Sequence, residues 1–129
     1  MNNSGYPLIK LVRFIQNNGA IVKLHICGNI TAIMPLLVQV APDIIDIDWM
    51  VELKKASELF AEAGISVCGN IDPVAVLYQG DAGIIKQKVM ECININDKTL
   101  LVAAGCEVPA ATPEENLLLM DKLLYACIT

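Results

Sequence analysis

Residues 21–29 read IVKLHICGN, in which a short apolar segment at residues 21–27, with a histidine and a cysteine two residues apart at its end, is followed by a glycine and an asparagine. Three further stretches, at residues 44–48, 65–70 and 100–106, also combine β-branched or small apolar residues with a polar or glycine-bearing end. Each of the four is followed by a longer segment with helical spacing. Such alternation is typical of consecutive βα units with parallel strands. The sequence therefore predicts an α/β fold, with one more helix at residues 6–17 ahead of the first strand.

Four βα units are half of the number in a (β/α)8 TIM barrel, whose usual length is about 250 residues. The chain has 129 residues, within the size range of one domain, and we treat residues 1–129 as a single domain. An open four-stranded parallel sheet would expose two apolar edges. We therefore interpret the chain as the second half of a larger barrel, either cut out of a longer protein or encoded separately.

Composition excludes several classes of protein. Hydrophobic residues make up 55% of the chain, but no apolar run approaches the ~20 residues of a membrane-spanning helix, so no membrane association is expected. The first seven residues lack the pattern of a secretory signal, and the five cysteines lack the spacing of a disulfide scaffold. A cytoplasmic location with reduced thiols is the prediction. A net charge of −5 without a Lys/Arg run argues against nucleic acid as a partner.

Polar side chains gather where the predicted strands end. In parallel α/β folds the carboxyl ends of the strands carry the site. Because residues two apart on a strand point to the same face, each pair of polar residues would face the barrel interior. The residues at these ends are His25 and Cys27, Asp46 and Asp48, Cys68 and Asn70, and Cys106.

A metal site is the first hypothesis for these residues. The imidazole of His25 and the thiolate of Cys27 share a face and can reach one ion together. Cys106, at another strand end, would complete a three-ligand zinc site of the catalytic type, in which the fourth position is left for water or substrate. The alternative for His25 is a core histidine, and for Cys106 a small buried hydrophobic residue. The two-residue spacing favours the ligand role for His25, whereas both roles stay open for Cys106.

The two aspartates have three alternative roles. Asp46 and Asp48 could form an acid/base pair, provide a metal-associated carboxylate, or neutralise Lys23. Two carboxylates on one interior face are costly unless a cation pairs with them. Asp48 lies nearer the strand end and is the better functional candidate.

The other cysteines carry weaker predictions. Cys92 and Cys127 lie in helical segments and are predicted to be packing residues. Cys68 is expected to face inward at a depth that the sequence does not give.

Local signals predict turns and helix starts. Asp72 precedes a proline suited to the first turn of a helix, and its side chain is expected to cap that helix. Thr112 and Glu115 have the spacing of a capping box before a helix at residues 113–127. The three glycines at the strand ends are interpreted as turn residues where the backbone must bend sharply: Gly28, Gly69 and Gly105.

The motifs of this chain together resemble the C-terminal half of the uroporphyrinogen decarboxylase superfamily. The resemblance extends from about residue 6 to the end of the chain. It implies a (β/α)8 barrel of which this chain is the C-terminal half. The stretches that carry it are HICGN at 25–29, IDW at 47–49, GNIDP at 69–73, GCEVP at 105–109 and TPEEN at 112–116.

Two branches of that superfamily differ at the decisive positions. Uroporphyrinogen decarboxylases need no metal and have a histidine where this chain has Cys106, and their main catalytic aspartate and substrate-binding arginines lie largely in the N-terminal half. The methylcobamide:coenzyme M methyltransferases and related corrinoid methyltransferases have His-x-Cys at the fifth strand and Gly-Cys at the eighth. Those three residues hold zinc, and His25, Cys27 and Cys106 match them one for one.

The resemblance to the second branch implies a zinc-dependent methyltransferase. It would move a methyl group from a methylcorrinoid (cobalamin), carried by a partner protein, to a small thiol such as coenzyme M or to a pterin. Bound Zn²⁺ would keep the acceptor thiol as a thiolate at neutral pH. Asp48 is the predicted catalytic residue and the first choice for a fourth zinc ligand, ahead of Glu107 and Cys68.

Two alternatives stand beside this interpretation. The first is a uroporphyrinogen decarboxylase-like protein that carries out metal-free decarboxylation in porphyrin biosynthesis. The second is a non-catalytic fragment whose sheet edges pair with a second copy, giving a homo-oligomer, or with a complementary N-terminal half. Without that half, the isolated chain is expected to lack part of the corrinoid-facing rim.

Overall fold

The computed structural model of the protein describes residues 6–95 and 98–128. Within these residues, four strands pair in parallel in chain order. Strands in chain order, each followed by a helix, form the arrangement of half a (β/α)8 barrel, which confirms the predicted fold class. The strands are β1 (Lys23–Ile26), β2 (Ile44–Ile47), β3 (Ser66–Ile71) and β4 (Leu100–Ala104).

The described part of the chain has five α-helices beside the strands, and the first has the predicted bounds. A 3₁₀ turn at Thr31–Ile33 leads into the second helix, and a π-helical segment at Pro73–Tyr78 follows β3. Among the described residues, no helix is both long and apolar enough to cross a bilayer. The helices are α1 (Tyr6–Asn17), α2 (Met34–Val40), α3 (Leu53–Glu62), α4 (Ala82–Ile93) and α5 (Glu114–Ile128).

The hydrophobic core lies between the helices and one face of the sheet. Ile45 and Ile47 of β2 are fully buried there together with Phe60 of α3 and Ile85 of α4. The intervening residues of the strands point to the other face, since side chains alternate along a strand. That face carries polar groups, as predicted for the barrel interior, and it includes Lys23, His25, Asp46 and Cys68.

The helix-start predictions have different outcomes. The Asp72 carboxylate accepts hydrogen bonds from the backbone N–H groups of Val74 and Ala75 at 2.8 and 2.9 Å, so the predicted cap is confirmed. The capping box is wrong, because the Thr112 N–H donates to the carbonyl of Pro109 at 2.9 Å. The Thr112 hydroxyl is buried and has no hydrogen-bond partner among the described residues.

The predictions for the two helical cysteines also have different outcomes. Cys92 is buried in the core, as predicted for a packing residue. Cys127 is exposed in α5, so its predicted packing role is wrong. A helical position alone does not say which side of the helix faces the core.

Asp43 ties the turn before β2 to the start of β1. Its Oδ2 accepts from the Val22 N–H at 2.7 Å and from Nε2 of Gln16 at 3.1 Å. These hydrogen bonds, chiefly the one from Val22, lower the pKa of Asp43. Because the folded-state pKa is lowered, the stabilisation is present above the usual pKa of about 3.9 and is lost as pH falls through the folded value.

We expect an Asp43→Asn variant to lose less stability than the wild type when pH falls from 6 to 3. The difference should be on the order of 0.5 kcal/mol, since solvent screens this exposed carboxylate. Urea unfolding at the two pH values measures it. Identical losses in both proteins would show that Asp43 does not contribute to acid unfolding.

Candidate metal centre

One nitrogen and two sulfur atoms converge beside the carboxyl ends of the strands. The Nε2 atom of His25 lies 3.3 Å from Sγ of Cys27 and 3.8 Å from Sγ of Cys106. The two sulfurs are 3.6 Å apart. His25 lies within β1, whereas Cys27 and Cys106 lie just beyond the ends of β1 and β4. Among the described residues, these three form the one group with the composition and proximity of a metal site.

Cys106 reaches Cys27 although β1 and β4 are separated by two strands. After β4, the Gly105 N–H donates to the carbonyl of Ile71 at 2.8 Å, at the end of β3. A Cβ built on Gly105 would lie only 2.6 Å from the backbone nitrogen of Trp49, just past the end of β2. The chain therefore crosses the ends of two strands in close backbone contact, and this crossing delivers Cys106 to the site.

The close contact gives Gly105 a different role from the predicted sharp bend, since its requirement is the absence of a side chain. Gly28, directly after Cys27, does have a positive φ of 87°. This left-handed conformation favours glycine and turns the chain away at the end of β1.

The spacing of the three atoms fits a tetrahedral ion. With Zn–S near 2.3 Å and Zn–N near 2.0 Å, tetrahedral ligands lie about 3.8 Å apart for a sulfur pair and about 3.6 Å apart for a nitrogen–sulfur pair. The distances of 3.3 to 3.8 Å found here are close to both values. Imidazole and thiolate are also the ligands that zinc prefers. The residues could hold zinc with one coordination position left over.

Cys106 affects the protonation of the Cys27 thiol. A hydrogen bond with Cys106, and then the repulsion between two thiolates, raises the pKa of Cys27, with a smaller contribution from Asp48. A dication between the sulfurs would reverse this effect, because it stabilises both thiolates.

Asp48 is buried, with 3% of its surface exposed, and both carboxylate oxygens accept backbone hydrogen bonds. Oδ2 accepts from the Gly28 N–H at 2.6 Å and Oδ1 accepts from the Trp49 N–H at 2.7 Å. The first bond fixes the turn that follows Cys27. Asp48 thus holds the backbone beside the site, and its proposed role as a catalytic residue or fourth ligand stays a prediction.

An Asp48→Asn variant is expected to unfold more readily by about 1–3 kcal/mol, measured by urea unfolding with a chelator present. The side-chain NH₂ would face one of the two backbone N–H donors and leave it buried without an acceptor. Glu62→Gln, at the exposed end of α3, removes the same charge as a matched control. An Asp48→Asn protein as stable as this control would contradict the backbone-holding role.

The other predicted interior residues take separate positions. Asp46 pairs with Lys23, with Oδ2 and Nζ 2.7 Å apart, so the charge-neutralising alternative for Asp46 is confirmed. Cys68 is buried, and burial is the main reason that its pKa is raised. Glu107 is exposed next to Cys106. None of these three belongs to the cluster of nitrogen and sulfur atoms described above.

Two contacts of the site have no clear signal in the sequence. The crossing at Gly105 depends on the approach of β2, which lies more than fifty residues earlier in the chain. The Asn70 side chain donates to the carbonyl of Val51 at 2.6 Å and ties the end of β3 to the loop after β2. From the sequence, Asn70 is indicated only as a polar residue at a strand end, and its partner in the loop after β2 is not.

Comparison with known proteins gives consistent matches. The family model described as uroporphyrinogen decarboxylase (URO-D) matches residues 3–125. A methylcobamide:CoM methyltransferase, MtbA, from Methanosarcina acetivorans is 30% identical over 94 residues, which are 73% of this chain and 26% of that protein. The protein of the same name from Methanosarcina mazei is 30% identical over 111 residues, covering 84% of this chain and 31% of the relative.

A solved structure shares the fold. A methyltransferase from Methanosarcina mazei superposes with a TM-score of 0.82 at 20% sequence identity, over 100% of this chain and 39% of that chain. The chain therefore spans roughly a third of the length of the proteins that it matches.

Proposed function

Because this chain belongs to the uroporphyrinogen decarboxylase family, we propose that it carries the zinc site of a corrinoid-dependent methyltransferase. The reaction would move a methyl group from a methylcorrinoid protein to a small thiol of the coenzyme M type or to a pterin. Within the family, the similarity to two proteins named methylcobamide:CoM methyltransferase supports this branch. The cytoplasmic location stays a prediction.

The single observation that carries the proposal is the convergence of His25, Cys27 and Cys106. Two of these residues come from one strand end, and the third arrives by a crossing over two other strands. A cysteine that served only as a small hydrophobic residue would not need to lie 3.6 Å from another thiol and 3.8 Å from an imidazole. The donor set and its spacing fit a zinc site with an open position, which supports the proposal.

Zinc in this site would lower the pKa of a thiol that takes the open position, which supplies a nucleophile at neutral pH. The residues of this chain then have separate tasks. His25, Cys27 and Cys106 would hold the ion, and two thiolate ligands would offset its charge so that the acceptor sulfur stays reactive. Asp48 would keep the Cys27 turn in place through the Gly28 N–H.

The test is a metal analysis of the freshly purified chain with its cysteines kept reduced, followed by a methyl-transfer assay with methylcobalamin and coenzyme M. About one zinc per chain is expected, together with zinc-dependent formation of the methyl thioether. A chain that does not bind zinc, even when titrated with it, would overturn the proposal. If the chain binds zinc but does not transfer methyl groups, the metal site is retained, and the proposal that this chain is active by itself is rejected.

The decarboxylase alternative predicts a protein that binds no metal. It has less support, because Cys106 stands where the resemblance gives a histidine to that branch, and this cysteine lies beside Cys27. The metal analysis separates the two alternatives.

Exposed apolar surface favours a second candidate function, pairing through the sheet edges. Phe14 of α1 and Ile21, just before the edge strand β1, are 68% and 76% exposed, and Leu101 of the other edge strand, β4, and Leu118 of α5 are 46% and 50% exposed. Surface of this kind marks interaction sites. Light scattering after size exclusion tests it: a concentration-dependent dimer supports edge pairing, and a monomer at all concentrations contradicts it.

A further inference from the structure

The orientation of the His25 ring is controlled from the neighbouring strand. His25 is in register with Asp46 in the parallel pairing of β1 and β2. Its Nδ1 atom lies 3.1 Å from the backbone carbonyl oxygen of Asp46. A carbonyl oxygen only accepts, so this contact favours the neutral ring with its proton on Nδ1 and with the Nε2 lone pair directed toward the two sulfurs. This is the tautomer that a metal bound at Nε2 requires.

The two oxygens of the Asp46 carboxylate differ: one is paired with a cation, and the other has no hydrogen-bond donor among the described residues. Oδ2 lies 2.7 Å from Nζ of Lys23. Oδ1 is buried and has no hydrogen-bond partner among the described residues, although it lies 3.8 Å from Nδ1 of His25. A buried carboxylate oxygen without a donor is unfavourable. A small rotation of the ring would bring the Nδ1–H group within hydrogen-bonding reach of this oxygen.

We propose that Asp46 is a positioning residue for His25, acting through its carbonyl and its Lys23-anchored carboxylate, an inference that rests on the proposed zinc site. Histidines that bind metals generally donate their other N–H to a carboxylate or a carbonyl, which fixes the ring and makes the ligating nitrogen more basic. When an ion at Nε2 draws charge from the ring, Nδ1–H becomes a stronger donor. Oδ1 of Asp46, which lacks a hydrogen-bond partner among the described residues, is the acceptor available to this Nδ1–H group.

Lys23 and Cys68 are neighbours of the Asp46 carboxylate. The Lys23 ammonium holds the carboxylate in one orientation and balances its charge. Cys68 lies in register with Asp46 on β3, and burial keeps its pKa raised, so that its thiol stays protonated and adds no second negative charge.

The first experiment uses the fact that His25 is the only histidine of the chain. Long-range ¹H–¹⁵N NMR of the metal-free protein reports one imidazole and assigns its tautomer without interference. The expected result for the neutral ring is a proton on Nδ1 and none on Nε2. A ring protonated mainly on Nε2 would overturn the proposal, whether or not the chain binds zinc.

The second experiment measures zinc affinity by competition with a chromophoric chelator. Asp46→Asn is expected to weaken binding by roughly 10- to 100-fold, the effect usual for such supporting groups. Asp121→Asn, at an exposed position of α5, carries the same charge change and should bind like the wild type. An affinity within twofold of the wild type for Asp46→Asn would overturn the proposal.

A third variant covers the case in which Asp46→Asn does not fold. Lys23→Met keeps the apolar stem of the side chain and releases the carboxylate, so a several-fold loss of zinc affinity is expected, and an unchanged affinity would count against the proposal. The proposed function fails separately, if the wild-type chain binds no zinc at all. In that case the NMR result alone decides the role of Asp46.

Discussion

A Cys27→Ser/Cys106→Ser variant is expected to bind zinc at least about a thousandfold more weakly than the wild type and to be purified without stoichiometric metal. The variant keeps His25 but removes both thiolates. Serine hydroxyls stay protonated at neutral pH, so they neither neutralise the ion nor bind it strongly. Metal content by mass spectrometry, together with a chelator competition titration, measures the loss. The fold should persist, because Cys27 is exposed and Cys106 is only half-buried.

Cys127→Ser is the matched control for this variant. Cys127 is an exposed cysteine in α5, and its replacement should leave zinc content unchanged. Single variants at Cys27 and Cys106 should each lose most of the affinity, since both sulfurs are close enough to share one ion. Stoichiometric zinc in the double variant would place the metal elsewhere in the chain and contradict the ligand assignment.

A Gly105→Ala variant is expected to be destabilised by about 1–3 kcal/mol and to lose zinc affinity at the same time. The added Cβ would lie 2.6 Å from the Trp49 nitrogen and 3.1 Å from the carbonyl carbon of Asp48. Both are backbone atoms at the end of β2, which cannot swing aside as a flexible side chain would. Relief requires the segment after β4 to move outward, and Cys106 is the next residue along it.

Gly83→Ala provides the contrast. A Cβ at Gly83, in the first turn of α4, would meet only the carboxylate of Asp81, at 3.2 Å. Alanine is also the better helix former, so this variant should lie within about 0.5 kcal/mol of the wild type and keep its zinc affinity. Urea unfolding and chelator competition on both variants separate a general cost of replacing glycine from the close contact at Gly105. Unchanged zinc affinity in Gly105→Ala would contradict the crossing as the element that places Cys106.

Much of the fold follows from local sequence. Three of the four strands lie within the predicted segments, β3 extends one residue past its segment to Ile71, and α1 has the predicted bounds. Apolar runs and helical spacing report burial in this layered arrangement. The errors are at the ends of elements. The predicted capping box at Thr112 is wrong because the Thr112 N–H donates to the carbonyl of Pro109 instead. The path of the loop before α5 determines this partner.

Part of the candidate site also follows from local sequence, and part depends on the tertiary structure. The sequence alone indicated that His25 and Cys27 share a face, since period-two geometry is a local property of a strand. Neutralisation of Lys23 was one of three roles that the sequence left open for Asp46 and Asp48, and it did not say which aspartate takes that role. The position of Asp46 beside His25 depends on the parallel register of β1 and β2. The two hydrogen bonds that Asp48 accepts from backbone N–H groups depend on its buried position in the fold.

By itself, then, the sequence determined the strand–helix order, the polar interior face and the His25–Cys27 pair, all of which depend on residues near one another in the chain. The tertiary structure decided whether Cys106 joins that pair. The residues lie about eighty positions apart on strands that do not pair, and their meeting depends on a backbone crossing that a side chain at Gly105 would block. Such a contact between distant backbone segments leaves no periodic pattern in a sequence.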